Sequence, residues 1–512
     1  MNSIVVRRWW ALAALTLGVL AVGLDITVLS VALPTLAVSL KASESDLQWF
    51  SSAYALVLAA GMLPAGVLGD RFGRKRVLLG ALALFGAGSI ACAYAVDPGQ
   101  FIAGRVVLGA AGAAVVVMAL SVLTVLFSEE ERPRAVGIWA AANFIALPIG
   151  PIFGGWLLTN YWWGWIFLMN VPVAVVGMIA VLALVPESRA AERPALDPIG
   201  MLLASGGLAA VTYGLIELGR NGWIDPSSLA VLVAGVAVVV GFFLWERYLN
   251  AREGGRPLVD LSLFKSRGFT WGVILAALGG MALIGLVFTL PQYSQGVLGL
   301  DPEGSGVRLL PVIVGLIAGA VPADRLAERI GPKVTVTTGF AITAGGLLLG
   351  STTALDSSQW FVVTWQVVIG FGMGIGFATA ASAALKTVPS EQSGVGSALL
   401  QAMQKVGAPF GSAILGSVLV TVYQSNLDLT GVPPALAGVV KQSIFAGVAV
   451  AQKLHSPVLL ESVRSSFVHG MDAALTVSAS IAAIATLLAL IFLPGRNRIA
   501  ASADEPAVQE VA

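Results

Sequence analysis

The feature that most constrains this chain is a succession of apolar runs, each close to 20 residues, separated by short polar turns along most of its length. At 1.5 Å of rise per residue, about 20 apolar residues in a helix match the roughly 30 Å hydrocarbon core of a bilayer. The runs give fourteen expected spans, with the first at 10–33, the sixth at 166–185, the tenth at 304–322 and the last at 471–494. Composition agrees: 57% of residues are hydrophobic and 11% charged, against about 25% charged in soluble domains. The expected class is therefore an all-α membrane protein.

The same numbers exclude other classes. The net charge is +1 and Lys and Arg form no extended cluster, so nucleic acid is not an expected partner. Two histidines, His455 and His469, and one cysteine, Cys92, leave no intramolecular disulfide, no histidine-based metal site and no histidine proton relay. Proton chemistry would fall to carboxylates. No P-loop or soluble catalytic domain is present, so neither an enzyme nor an ATP-driven pump is expected. Arg7 and Arg8 ahead of an apolar run resemble a signal peptide, but the run is too long and holds Asp25, so it reads as an uncleaved first span.

A charged turn then sets the internal organisation. Gly66-Val-Leu-Gly-Asp70-Arg71-Phe-Gly73-Arg74-Lys75-Arg76 joins spans 2 and 3. The order acid, Arg, apolar, Gly, any, Lys returns at Glu328-Arg329-Ile-Gly331-Pro332-Lys333, between spans 10 and 11. A repeated turn implies a repeated helical unit. The expected division is a six-helix half at 1–185, linkers with an inserted pair of spans at 186–268, and a second six-helix half at 269–494. The second half carries a long outer loop at 425–470, read as partly ordered, with short interfacial helices or a cap over the outer mouth as the alternative, and a disordered tail follows at 495–512. Lys and Arg of the loops fall mostly on the side of the two turns, among them Arg8, Arg132, Arg189, Arg252 and Lys265. That bias places the turns and both termini in the cytoplasm.

Four motifs, in order and on the matching helices, give the chain a resemblance to the fourteen-helix drug/proton antiporters of the major facilitator superfamily. They are Leu24-Asp25-Ile-Thr27 through Pro34 in span 1, the turn at Gly66–Arg76, Arg105-Val-Val-Leu108-Gly109-Ala-Ala-Gly112 in span 4, and Gly150-Pro151-Ile-Phe-Gly154-Gly155 in span 5. The resemblance implies export of amphiphilic small molecules, drugs or antibiotics, from a bacterial-type cytoplasmic membrane. A monomer would exchange them for protons, with the proton gradient as the energy source and no cofactor or metal. A selective exporter of one metabolite or self-made antibiotic is the alternative, and a non-transporting membrane sensor a third.

The residues carry their own readings beside it. An aspartate in an apolar helix costs about 2.5–3.5 kcal/mol on insertion scales, so Asp25 is expected to face a partner or a cavity. Asp25 is the proton-site candidate, with a structural acid as the plainer reading. The resemblance makes Arg105 its modulator; its place near the end of span 4 also suits a side chain snorkelling to the interface. Leu108 stands where the family often has Gln. The resemblance implies that Gly66, Asp70, Arg71, Gly73, Arg74 and Lys75 form a gating latch that locks the outward-open state. It makes Gly150, Pro151, Gly154 and Gly155 a hinge and seal between the halves, though ordinary close helix packing uses the same residues. Asn143, Gln401, Gln404 and Lys405 are candidates for the substrate cavity. A lysine near mid-bilayer would disfavour cations and favour neutral or weakly acidic substrates; the alternative is a structural lysine neutralised by a partner such as Asp25.

Overall fold

A computed structural model describes residues 2–128, 131–189, 197–221, 223–252, 261–385, 387 and 393–494. Among them every regular element is helical. In chain order these are α1 (Asn2–Ser39), α2 (Glu44–Phe72), α3 (Arg74–Ala93), α4 (Pro98–Leu126), α5 (Arg132–Asn160), α6 (Trp165–Leu168), α7 (Asn170–Leu184), α8 (Pro198–Asn221) and α9 (Pro226–Ala251). After a 3-10 turn at Leu261–Lys265 come α10 (Arg267–Gln292), a π-helical turn at Tyr293–Val297, α11 (Pro302–Val307), α12 (Leu310–Ile330), α13 (Pro332–Gly350), α14 (Gln359–Leu385), α15 (Ser393–Asn426), α16 (Pro434–Val440), α17 (Ile444–Lys453) and α18 (Pro457–Phe492).

Twelve helices among the described residues are long and apolar enough to cross a membrane, and α2 makes a thirteenth as a span bent by 49° between Met62 and Pro64. Proline lacks the N–H for its own turn and crowds the carbonyl four residues back, which accounts for a bend at this place. The helix α5, 29 residues long, takes the place of the fifth expected span and stands outside that count. Large aliphatic side chains cover the outer faces: Leu202 is 74% exposed, Val321 73% and Val233 66%. Apolar surface on this scale needs lipid around it. The chain is a multi-pass membrane protein.

Helices α1 to α7 pack mainly on one another, α1 against α5 and α7, α4 against α2 and α3. Helices α10 to α15 and α18 form a second group in which α12 lies along α14, α13 along α14 and α18, and α10 along α15. Glycines bring α12 and α14 into backbone contact: a Cβ on Gly315 or Gly319 would strike the backbone of α14, and one on Gly370 or Gly374 that of α12. Such close approach lets dispersion hold helices together where lipid gives no hydrophobic drive. Helices α8 and α9 pack as a pair, with α8 seated on α15 and α2.

Several boundaries differ from the sequence reading. The first helix runs well past 10–33 at both ends. The sixth span is broken at Met169 into α6 and α7, and the tenth at Arg308 and Leu309 into α11 and α12. The stretch 425–470 holds α16, α17 and the first turns of α18, so of the two readings open there short helices are the one found, and the last helix starts at Pro457 instead of 471. Ser443 and Ser456 cap α17 and α18 by accepting from Ala446 N and Leu459 N, and such local caps carry little hydropathy signal.

Candidate functional site

Five helices converge on a buried ion pair. Asp25 of α1 is 2% exposed and Arg105 of α4 1%, with Arg105 Nη1 donating to Asp25 Oδ2 at 2.5 Å. The guanidinium does not snorkel to the interface. Its Nε donates to Phe50 O of α2 at 3.0 Å, and its Cζ lies over the Tyr54 ring, 4.3 Å from the ring centre. Tyr54 in turn donates its hydroxyl to Val22 O of α1 at 3.3 Å. From α7, Asn170 Nδ2 reaches Asp25 Oδ1 and Ser89 Oγ of α3, each at 3.4 Å. Both oxygens of the carboxylate thus have a donor, and the guanidinium has an anion, a carbonyl and a π-face. A buried charge is tolerable only when paired and hydrogen-bonded in this way.

Asn170, Tyr54 and Ser89 were not in the sequence reading. Asn170 is the first residue of α7, directly after the break at Met169, and a lone amide in an apolar run was the available signal. Leu108, in the place of the family's Gln, is fully buried and packs near Gly88.

A chain of close contacts leads from the pair to the junction between the helix groups. Two residues after Asp25, Thr27 Oγ1 donates to Ala146 O of α5 at 3.1 Å. Gly150 and Gly154 face Thr27 and Val28, so that a Cβ on either would collide with α1. One residue on, Gly155 faces the backbone of Pro302 and Glu303 of the second group, and Gly306 of that group faces Pro151 O. The motif therefore divides: Gly150 and Gly154 seat α5 on α1, while Pro151 and Gly155 meet the other group.

The charged turn is held by its own group. Gly73 has φ +108°, closing α2 and opening α3 in one residue, and Gly331 repeats this at φ +90° between α12 and α13. Only glycine adopts such a backbone without strain. Asp70 accepts from Arg74 Nε and Nη2 at 3.0 and 2.9 Å, and Arg74 also donates from Nη1 to Ser121 O of α4 at 3.3 Å. Lys75 Nζ donates to Leu182 O of α7 at 2.9 Å. Glu187, just beyond α7, accepts from Lys75 N at 3.2 Å and pairs with Arg76 at 3.5 Å. The Arg71 guanidinium lies over Phe72, and Gly66 and Gly69 face Val117 and Met118 of α4. The acid found at the turn, Glu187, was not anticipated.

At the opposite end the two groups are joined. Ser52 of α2 hydrogen-bonds Ser412 of α15 at 2.6 Å, Ser417 donates to Gln48 at 3.4 Å, and Gln295 Nε2 donates to Val31 O at 2.9 Å. Glu303 N donates to Thr159 Oγ1 at 3.3 Å. These four contacts and the hydrogen bond of Gln292 with Glu44 join the groups at this far end. Of the cavity candidates, Gln404 is half-buried in α15, with its carbonyl against Gly280 of α10. The side chains of Asn143, Gln401 and Lys405 lie outside the described residues.

The sequence matches the description "Major Facilitator Superfamily" over residues 15–412 and again over 312–505. The chain belongs to the major facilitator superfamily. Among superfamily relatives it is 33% identical to the tetracenomycin C resistance and export protein of Streptomyces glaucescens, over 94% of this chain and 91% of that one. It is 32% identical to the multidrug efflux pump LfrA of Mycolicibacterium smegmatis, over 94% and 95%. The facilitator fold is shared with a bacterial homologue of the human lysosomal transporter Spinster, solved in an inward-facing, occupied conformation. That likeness has a TM-score of 0.69, at 14% identity over 96% of this chain and 98% of that one.

Proposed function

We propose that this facilitator exports amphiphilic small molecules, drugs or antibiotics, across a bacterial-type cytoplasmic membrane in exchange for protons. The observation that carries the reading is the Asp25–Arg105 pair, buried among five helices and linked through Thr27 and α5 to the junction of the helix groups. Protonating Asp25 would leave the guanidinium without its anion, and a buried charge losing its partner is strongly disfavoured. Helices α1 and α4 then rearrange, and α1 carries the change to α5 and the second group. Asp25 holds the proton, Arg105 sets the cost of taking it up, and Asn170 positions the carboxylate.

The remaining assignments follow the same frame. Fourteen spans, two six-helix halves at 1–185 and 269–494, and an inserted pair between them would rock around a central cavity. With both termini and the charged turns in the cytoplasm, a junction closed at the far end leaves the cavity open inward. The turn, tied to Ser121, Leu182 and Glu187 of its own half, is then a latch in its released state. The monomer is the working unit, with the proton gradient and no cofactor as its energy source. Lys405 in α15 favours neutral or weakly acidic substrates over cations.

Inverted vesicles test this directly, with substrate uptake and proton flux recorded together. Coupled efflux that vanishes in Asp25→Asn and on collapsing the gradient is expected; uptake indifferent to the gradient overturns antiport. Methyl viologen, for which a resistance protein 29% identical to this chain is named, and ethidium are the cationic probes. Export of both at the rate of weak acids, unchanged by Lys405→Gln, would remove the charge preference. A second reading, a selective exporter, is favoured by relatives named for one antibiotic, such as the puromycin resistance protein of Streptomyces alboniger at 32% identity. Resistance to a single compound across a toxicity panel would decide for it.

A further inference from the structure

The far-end junction holds an acid that the Asp25 site does not use. Glu44, the first residue of α2, is 2% exposed. Its Oε1 accepts from Gln292 Nε2 of α10 at 3.1 Å, and its backbone N–H donates to Gln442 O, ahead of α17, at 2.9 Å. Gln292 is fully buried; its Nε2 also donates to Phe288 O at 3.2 Å, while its Oε1 is buried with no hydrogen-bond partner. Gln48 and Ser52, one and two turns further along α2, continue the seam to Ser417 and Ser412.

The surrounding charges do not compensate Glu44. On its own side Asp46 is tied to Ser43 and Lys41 is exposed. From α15 the Tyr423 phenol is the titratable group nearby, its hydroxyl donating to Val440 O and Ser443 O. Lys441, beside Gln442, is exposed, and no ion pair among the described residues reaches Glu44.

This arrangement distinguishes the two forms of the acid. A protonated carboxyl carries one O–H donor and can give it to Gln292 Oε1, closing a two-bond ring of acid and amide across the junction. An ionised carboxyl has no donor to give and leaves two acceptors facing each other, one of them a buried charge without a cation. We propose that Glu44 and Gln292 form a second proton-binding site, and that taking up a proton from the far-side solution locks the junction of the two helix groups shut. The lock operates whether or not Asp25 is the transported-proton site.

Spin labels on Val38→Cys of α1 and Leu454→Cys, the residue that closes α17 where it packs on α18 of the second group, both exposed, report the junction by their separation in lipid nanodiscs, on a Cys92→Ala background. Acidification from about pH 8.5 to about pH 5 spans the range in which a carboxyl at an interface titrates, and is expected to raise the closed-to-open ratio about tenfold. Glu44→Gln, which keeps the shape and can donate to Gln292, is expected to be closed at both values. Gln292→Met is expected to shift toward open at both. Asp25→Asn retains the response, which separates failure of this site from failure of proton antiport. A wild-type ratio that ignores pH overturns the proposal, and so does a wild-type response preserved in Glu44→Gln or in Gln292→Met.

Discussion

At the scale of single residues, the Asp25–Arg105 pair makes an asymmetric demand on substitution. Arg105→Leu strands a buried carboxylate and is expected to destabilise by about 3–5 kcal/mol, whereas Asp25→Asn/Arg105→Leu removes both charges and recovers much of that loss. Thermal unfolding in one detergent measures the difference, and a double variant no more stable than Arg105→Leu would contradict the pairing. Neither variant is expected to couple efflux to protons. Asn170→Leu withdraws the donor from Asp25 Oδ1, an effect of about 1–3 kcal/mol for a buried acceptor. Asn170→Gln, which keeps an amide, should recover part of it. Asp25 and Arg105 stood out in the sequence because charge inside an apolar run is costly. Asn170, Tyr54 and Ser89 did not, because which polar side chains share a pocket depends on helix rotation and on the break at Met169.

At the scale of elements, two glycine turns and one proline bend shape the helix packing. Gly73→Ala places a Cβ at φ +108° and against the Glu187 carboxylate, so it is expected to cost about 1–3 kcal/mol of backbone strain in addition to the contact. Gly431→Ala, at φ +79° with nothing near its Cβ, carries the strain alone. The smaller fall in unfolding temperature therefore belongs to Gly431→Ala; equal falls would show that Glu187 yields freely. Gly155→Val would meet the backbone of Pro302 and Glu303, and is expected to open the far-end junction and slow efflux about tenfold or more. Gly150→Val would instead push α5 off α1 within one group. The turn's glycines were legible because spacing is a local property. That the motif of α5 faces two different groups was not, since each residue along a helix turns the presented side by about 100° and only the packing decides what stands on each side.

At the scale of the whole molecule, the far-end seam makes a direct test of rocking available. Ser52 and Ser412 lie with hydroxyls 2.6 Å apart on helices of opposite groups. Ser52→Cys with Ser412→Cys, oxidised to a disulfide, is expected to abolish efflux and to regain it on reduction; full efflux from the cross-linked protein would exclude opening at this end. The α8–α9 pair bears on the same motion, since Ser417 and Thr421 of α15 donate to Leu215 O and Gly219 O of α8. Any swing of α15 has to carry α8 with it or break those bonds.

The sequence by itself determined the class, a membrane protein of many long helices, the repeated turn, and the superfamily to which the chain belongs. Span length, glycine spacing and isolated charges are local and survive without knowledge of the fold. Tertiary structure decided which helices meet, that Arg105 turns inward to Asp25, that the stretch 425–470 is helical, and which end of the molecule is joined. It also brought Glu44 of α2 to Gln292 of α10, residues 248 apart in the chain. Such pairings follow from helix rotation and packing against distant neighbours, which no periodicity along one run encodes.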